Sequence, residues 1–308
     1  AQTNFISFSF YKGAVKSSVL PPKKQTKISN QKRTITKPLK NKTTLNKCFL
    51  IRSASYMKKI MIFFVISFFC FAVPLQSFGK SREKYEQSGY VIWDVETDDK
   101  KVAITFDDGP HPVFTPQILD LLAKYKAKAT FFVAGNKVER FPEVLKRTVE
   151  EGHEIGNHTY SHRYSKGISS STFLSELQKA DDIIMQYTGS KPTLFRPVGG
   201  YYNKTIVNSV IQNNQLVIIW SWNHDAKDWQ EPSAQHIIRT ITKGVKPGNI
   251  ILLHDWIGSE YTKSSNTVTA LGGILKYLEK NGYECVTVSE LLYHASEKIP
   301  DQFDPFQK

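Results

Sequence analysis

From residue 98 onward, short β-prone apolar runs alternate with amphipathic helical patterns, and this alternation limits the fold more than any other feature of the chain. The strand-like runs are "KVAITF", "KATFFVAG", "HEIGNHT", "TLFRPV", "LVIIWSW", "NIILLH" and "ECVTV". Helical patterns cover 115–125, 137–151, 171–187, 203–214, 233–243 and 267–281. Leu119, Leu122 and Tyr125 share one stripe, as do Leu174, Leu177 and Ile184. Gly152, Gly189 and Gly282 stand just past helix ends, where a left-handed residue commonly closes the last turn. A helix of this length between two strands brings the second strand back parallel to the first. Repetition of that unit along the chain predicts a closed or nearly closed β/α barrel, with an open parallel sheet as the alternative. In a barrel, functional side chains gather at the C-terminal ends of the strands.

The 308 residues include 41 Lys and Arg against 28 Asp and Glu, a net charge of +13. Fourteen of the basic residues, and none of the acidic ones, lie in positions 1–60. The other 27 basic residues face all 28 acidic ones, so the globular part is near neutral and a nucleic-acid partner is not expected. Residues 1–56 are polar, basic and aperiodic, and read as an upstream or disordered segment. Met57-Lys58-Lys59 then leads into an apolar run from Ile60 to Val73, with small residues at Ser77-Phe78-Gly79. That is the pattern of a signal peptide over 57–79, with translation starting at Met57. The competing reading is an uncleaved membrane anchor through 60–78 with a basic cytoplasmic arm. Either way the domain is expected to be exported, as a secreted or cell-envelope protein. Residues 80–97 read as a linker, 98–296 as one catalytic domain and 297–308 as a tail. Of Cys48, Cys70 and Cys285, Cys285 alone lies beyond the signal segment, on the apolar strand "YECVTV", where core packing is expected and no disulfide framework exists.

The first strand ends in "AITFDDGPHP", with Asp107 and Asp108 side by side before a Gly-Pro break. A single Asp is enough to cap a turn. Two suggest that one binds a cation while the other stays free as a base. In "GNHTYSH", His158 and His162 are four apart, which places both imidazoles on one face of a helical or tightly turned segment. Two His and a carboxylate form an open ligand set for zinc, leaving room for water or substrate. Arg196, Asp225, Asp228 and the pair His254-Asp255 also fall at strand ends.

With these residues in view, the stretch from about 98 to 295 resembles the polysaccharide deacetylases of carbohydrate esterase family 4. Five short motifs in fixed order carry the likeness: "TFDDGP" at 105–110, "HTYSH" at 158–162, "RPVGG" at 196–200, "DAKDW" at 225–229 and "LLH" at 252–254. The resemblance implies a single distorted, incomplete TIM-like (β/α)7 barrel. It also implies roles. Asp107 is the general base, Asp108 a metal ligand with His158 and His162, and Arg196 the partner that orients Asp107. Asp228 holds His254, the general acid, while Trp229 and Leu252 wall the acetyl pocket. A backbone N–H near Gly199 is the implied oxyanion donor. The third motif departs from the usual R-P-P-Y-G, since Val198 and Gly199 stand where Pro and an aromatic are frequent.

The implied activity is metal-dependent removal of N-acetyl groups from β-1,4-linked amino sugars of peptidoglycan or chitin type, with zinc as the expected ion and cobalt as a substitute. The alternatives are an O-deacetylase of a polymer such as xylan and a non-catalytic glycan-binding protein on the same fold. A monomer is expected. Tyr201, Tyr202, Trp222, Trp229 and Trp256 lie beside the motifs and could stack on sugar faces, whereas Trp220 reads as barrel packing. His111 either orients the metal site or fills its turn.

Overall fold

The computed structural model describes residues 82–295. The segments 1–56 and 57–79 and the tail 297–308 therefore lie outside the described residues. Among the described residues, no helix is long and apolar enough to cross a membrane.

The described residues build an eight-stranded, parallel sheet flanked by helices. In chain order these are β1 (Val91–Ile92), β2 (Lys101–Asp107), α1 (Phe114–Lys124), β3 (Thr130–Val133), α2 (Gly135–Arg140), α3 (Pro142–Glu150), β4 (Glu154–Asn157) and α4 (Ser170–Thr188). They continue with β5 (Leu194–Phe195), α5 (Lys204–Gln212), β6 (Leu216–Ile218), α6 (Ala234–Thr242), β7 (Ile250–His254), α7 (Asn266–Lys280), β8 (Glu284–Val286) and α8 (Val288–Tyr293). The spatial order is β1-β6-β5-β4-β3-β2-β7, with β8 on β2. Just past β6 the backbone reaches β7: Ser221 N–H donates to Ile250 O at 2.9 Å and Leu252 N–H to His224 O at 3.0 Å. This closes the circuit into the distorted barrel expected from the alternation, rather than an open sheet.

Two short strands are wedged into the N-terminal end of that circuit. β8 shares β2 with β3, pairing Lys101–Ala103 while β3 pairs Thr105–Asp107. β1 pairs β6, and the chain after it reaches β7 through Val95 N–H to Gly248 O at 2.9 Å. This corrects the reading of 80–97 as a linker: Val91, Trp93 and Val95 are buried in the core. A two-residue strand offers no period for a sequence pattern to register. The pattern also merged two helices over 137–151. Pro142 starts a new helix there, because its ring removes the N–H that a continuing helix needs. Past Val286, the apolar run turns instead into α8, with Thr287 as its N-cap.

Side chains of the strands alternate with period two. Val102, Ile104 and Phe106 point outward and pack with Ile118, Leu119 and Leu122 of α1. Ala103, Phe132, Leu194, Leu216, Ile218 and Ile250 point inward and fill the lower barrel. Space there is tight: a Cβ on Gly156 of β4 would sit 2.4 Å from the Phe132 ring. Gly156→Ala is expected to cost about 1–3 kcal/mol by forcing that ring off its position, read as a fall in the urea midpoint with unchanged denaturant slope.

Candidate active site

The inward-facing residues become polar toward the C-terminal ends of the strands. Arg196, just past β5, is fully buried. Its guanidinium donates to Asp107 Oδ1 at 2.8 Å, Thr105 Oγ1 at 2.6 Å, Ile219 O at 2.8 Å and Ile218 O at 3.2 Å, and it stacks 4.1 Å from the Phe132 ring. The donors are thus matched by acceptors on β2 and along the β6 segment, which is what makes a buried charge tolerable.

Asp107 and Asp108 meet at one place because the strand geometry fails between them. Consecutive strand residues point to opposite faces. Asp108 adopts a left-handed backbone, φ 80°, which turns its carboxylate back toward the mouth. His158 Nε2 consequently lies 3.3 Å from Asp108 Oδ1 and 3.9 Å from Asp107 Oδ2. His162 Nε2 lies 2.7 Å from the same Asp108 oxygen. Of the two settings that the spacing allows, helical or tightly turned, the residues from 158 to 162 adopt the second. They follow an irregular turn in which Thr159 (φ 69°) and His162 (φ 55°) are both left-handed. Neighbours hold this turn: Thr159 N–H donates to Asn157 Oδ1 at 2.7 Å, and Ser161 N–H to Glu176 of α4 at 2.7 Å.

His158 donates its Nδ1 hydrogen to Arg196 O at 2.7 Å, which leaves Nε2 as the ring nitrogen that faces Asp108. One ligand atom each from Asp108, His158 and His162 lies within 4.8 Å of the others. Donor type, tautomer and spacing all fit a divalent cation. Burial pushes the Asp108 carboxyl up, but hydrogen bonds and charge from His158 and His162 outweigh this and hold it well below the ordinary value.

His254 ends β7, where it pairs in register with Asp107 of β2. Its Nδ1 lies 2.7 Å from Asp228 Oδ1, and its own N–H donates to Asp228 Oδ2 at 2.8 Å. Thr267 of α7 donates to that second oxygen at 2.7 Å. Burial lowers the His254 pKa, yet the hydrogen bond and charge of Asp228, with Asp108 and Asp107 further off, raise it to about 9.

The residues expected to line the site divide. Trp229 is 54% exposed beside Asp228 and Trp222 is 78% exposed. Leu252 is buried on β7, and Gly199 sits left-handed (φ 63°) in the turn after Arg196. Tyr201 is partly buried. Tyr202 packs edge-on against Tyr85 and Trp93 at 5.4 and 5.5 Å, so it belongs to the core under the N-terminal segment. Trp220 packs in the barrel as expected. His111 fills its turn: Nδ1 accepts from Val113 and Phe114 N–H, and Nε2 reaches Ser259 O at 3.1 Å.

Two supporting groups had no motif to announce them: Thr267 and Lys137 lie on helices remote in sequence from the residues they hold. Lys137 Nζ donates to Asp108 O at 2.7 Å over the Trp256 ring, and burial lowers its pKa to about 8 against the pull of Asp108 and Asp255.

Fold and site together define a β/α-barrel protein with a candidate metal-assisted hydrolytic centre at its mouth. The polysaccharide deacetylase family model matches residues 94–217. A peptidoglycan-N-acetylglucosamine deacetylase of Bacillus cereus is 44% identical over 211 residues, covering 68% of this chain and 97% of that protein. The crystal structure of the Bc1960 peptidoglycan N-acetylglucosamine deacetylase superposes with a TM-score of 0.63 at 32% identity, over 70% of this chain and 97% of that one. BA3943 of Bacillus anthracis, described as a CE4 family pseudoenzyme, superposes with a TM-score of 0.60 at 28% identity, over 66% and 69% of the two chains. The chain belongs to the polysaccharide deacetylase family.

Removing the guanidinium strands a buried carboxylate. Arg196→Met is expected to cost about 3–5 kcal/mol of stability by chemical denaturation. Arg196→Lys should recover part of it, because one ammonium cannot serve the same spread of acceptors.

Proposed function

We propose that the protein is a metal-dependent N-deacetylase that hydrolyses acetamido groups on the β-1,4-linked amino sugars of peptidoglycan. One observation carries this reading: a set of cation-binding atoms opens beside an Arg-held carboxylate and, in register across the β2–β7 pair, a carboxylate-held imidazole. The names of the Bacillus relatives support the choice of polymer. Asp108, His158 and His162 would hold the ion, with zinc as the proposed metal and cobalt as a substitute. When bound, such an ion supplies a Lewis acid that acidifies water and polarises an acyl carbonyl.

The chain's own residues do the rest. Asp107, fixed by Arg196, accepts the proton of the attacking water as the new C–O bond forms. The turn at Gly199 presents backbone toward the developing oxyanion. His254 gives its proton to the nitrogen as the C–N bond breaks, which releases acetate and a free amine. An amine is a poor leaving group without that proton. A His kept charged by Asp228 therefore suits an amide better than an ester, and this favours N- over O-deacetylation. Trp229 and Leu252 wall the acetyl group, and the exposed Trp222 offers a sugar contact. Peptidoglycan lies outside the cytoplasmic membrane, so the reading also requires export through the 57–79 segment, with or without anchorage through 60–78. The mature chain is proposed to begin near Lys80, which N-terminal sequencing of the native protein checks.

Acetate release from peptidoglycan, chitooligosaccharides and acetyl-xylan tests the substrate class. Chelation should abolish release and added zinc or cobalt restore it. His158→Ala should lose metal and activity together while keeping its unfolding midpoint within a few degrees, since the site lies at the mouth rather than in the core. Full activity after exhaustive chelation refutes the metal role.

The pH profile tests His254. The acid is competent while protonated, so activity falls as pH rises through its pKa. A cation at Asp108 cancels part of the raising charge, which puts the alkaline limb between 6.5 and about 9. Asp228→Asn leaves the burial but removes its largest opponent, so that limb should move to lower pH by a unit or more. An alkaline limb unmoved in this variant assigns the proton to another group.

A further inference from the structure

Gly199 lacks the aromatic side chain that the third motif usually carries, yet its place is not bare. An ideal Cβ on Gly199 would lie 3.1 Å from Cε2 and 3.4 Å from Cδ2 of Tyr164. The Tyr164 ring thus covers the glycine from the loop that follows His162. Tyr201 supports it, with ring centroids 5.6 Å apart and planes at 47°. Tyr201 is itself fixed against the core around Phe195 and Val207. Tyr164 remains 52% exposed, which is high for a ring held by two neighbours. Both partners of this contact adjoin the site: Tyr164 follows His162 by two residues, and Gly199 follows Arg196 by three.

We infer that Tyr164 is a substrate-binding residue, an aromatic face supplied from the β4–α4 loop in place of a side chain at position 199, and that it stacks on a pyranose ring of the glycan. The inference rests on the glycan N-deacetylase reading above for its ligand. The fit is reciprocal. Gly199 is left-handed at φ 63°, where a side chain is disfavoured, and any Cβ there would press on the ring. The glycine therefore admits the tyrosine, and the tyrosine replaces what the glycine lacks. A half-exposed ring on a fixed backing loses little freedom when a ligand covers it, which is why such aromatics bind efficiently.

The test uses the zinc-loaded full domain and an N-acetylglucosamine tetramer. Tyr164→Ala and Tyr164→Leu should each raise KM about tenfold with kcat changed less than twofold, and calorimetry should show the same loss of affinity. Tyr164→Phe keeps the ring and should stay within threefold of wild type. Leucine still covers Gly199, so its failure separates stacking from packing. Unchanged affinity in the Ala and Leu variants, a Phe variant as weak as Ala, or no tetramer binding by the wild type overturns the inference. A wild type that binds the tetramer through Tyr164 but releases no acetate from any glycan refutes the deacetylase reading and leaves the stacking role standing.

Discussion

The whole mouth of the barrel hangs on one buried guanidinium. Arg196 sits where the inward face changes from apolar to polar, and it works from both ends. Its side chain ties Asp107 and Thr105 of β2 to the backbone of the β6 segment. Its carbonyl receives the Nδ1 hydrogen of His158 and so sets which ring nitrogen faces Asp108. Base candidate and ligand candidate are thus fixed by the same residue. A buried ion pair is no gain in stability over an apolar core. It does fix direction: a carboxylate held at 2.8 Å by a planar donor cannot drift when the charge beside it changes.

The second device is backbone conformation. Regular strands and helices would scatter the motif side chains over two faces. Left-handed residues at Asp108, Thr159, His162 and Lys227 turn them inward instead. Such conformations cost energy and persist only where surrounding contacts determine them. Those contacts are visible here: Lys137 holds the Asp108 carbonyl, Glu176 the Ser161 backbone, and Thr267 the Asp228 carboxylate. Each comes from a helix packed outside the barrel, so the rigid outer layer maintains the strained inner one.

This division explains what was legible in the sequence. Apolar period and helix ends are local signals, and Leu119, Leu177 and Gly189 reported them faithfully. Residue types at strand ends were equally plain, so Asp107, Asp108, His158, His162, Arg196, Asp225, Asp228, His254 and Asp255 could be grouped before any coordinates, and the family resemblance narrowed that set. The conformations that join them were not. Four-residue spacing at His158 and His162 fitted a helix and a tight turn alike, and only the structure shows the turn, made by a pair of left-handed residues. The buried run from Val91 to Val95 looked like a linker because a two-residue strand gains its identity from its partner, β6. Lys137 and Thr267 act across the chain fold, and nothing in their immediate sequence marks them.

Register between the two halves of the site depends on a similar long-range fit. Asp107 and His254 pair across β2 and β7, so any slip of one strand would separate the proposed base from the proposed acid. Past the strand ends, Asp255 N–H donates to Asp107 O at 3.2 Å, and Asp255 Oδ2 accepts from Thr115 of α1 at 2.6 Å. The Asp255 carboxyl fills the space in which a Cβ on Gly109 would stand, only 2.1 Å from Oδ2. Gly109 is therefore required by close approach, not by a left-handed turn. Burial pushes Asp255 up to about 7, with Asp108 and Asp107 adding to the rise. Through its N–H to Asp107 O and its Oδ2 to Thr115, Asp255 locks the end of β7 to β2 and α1.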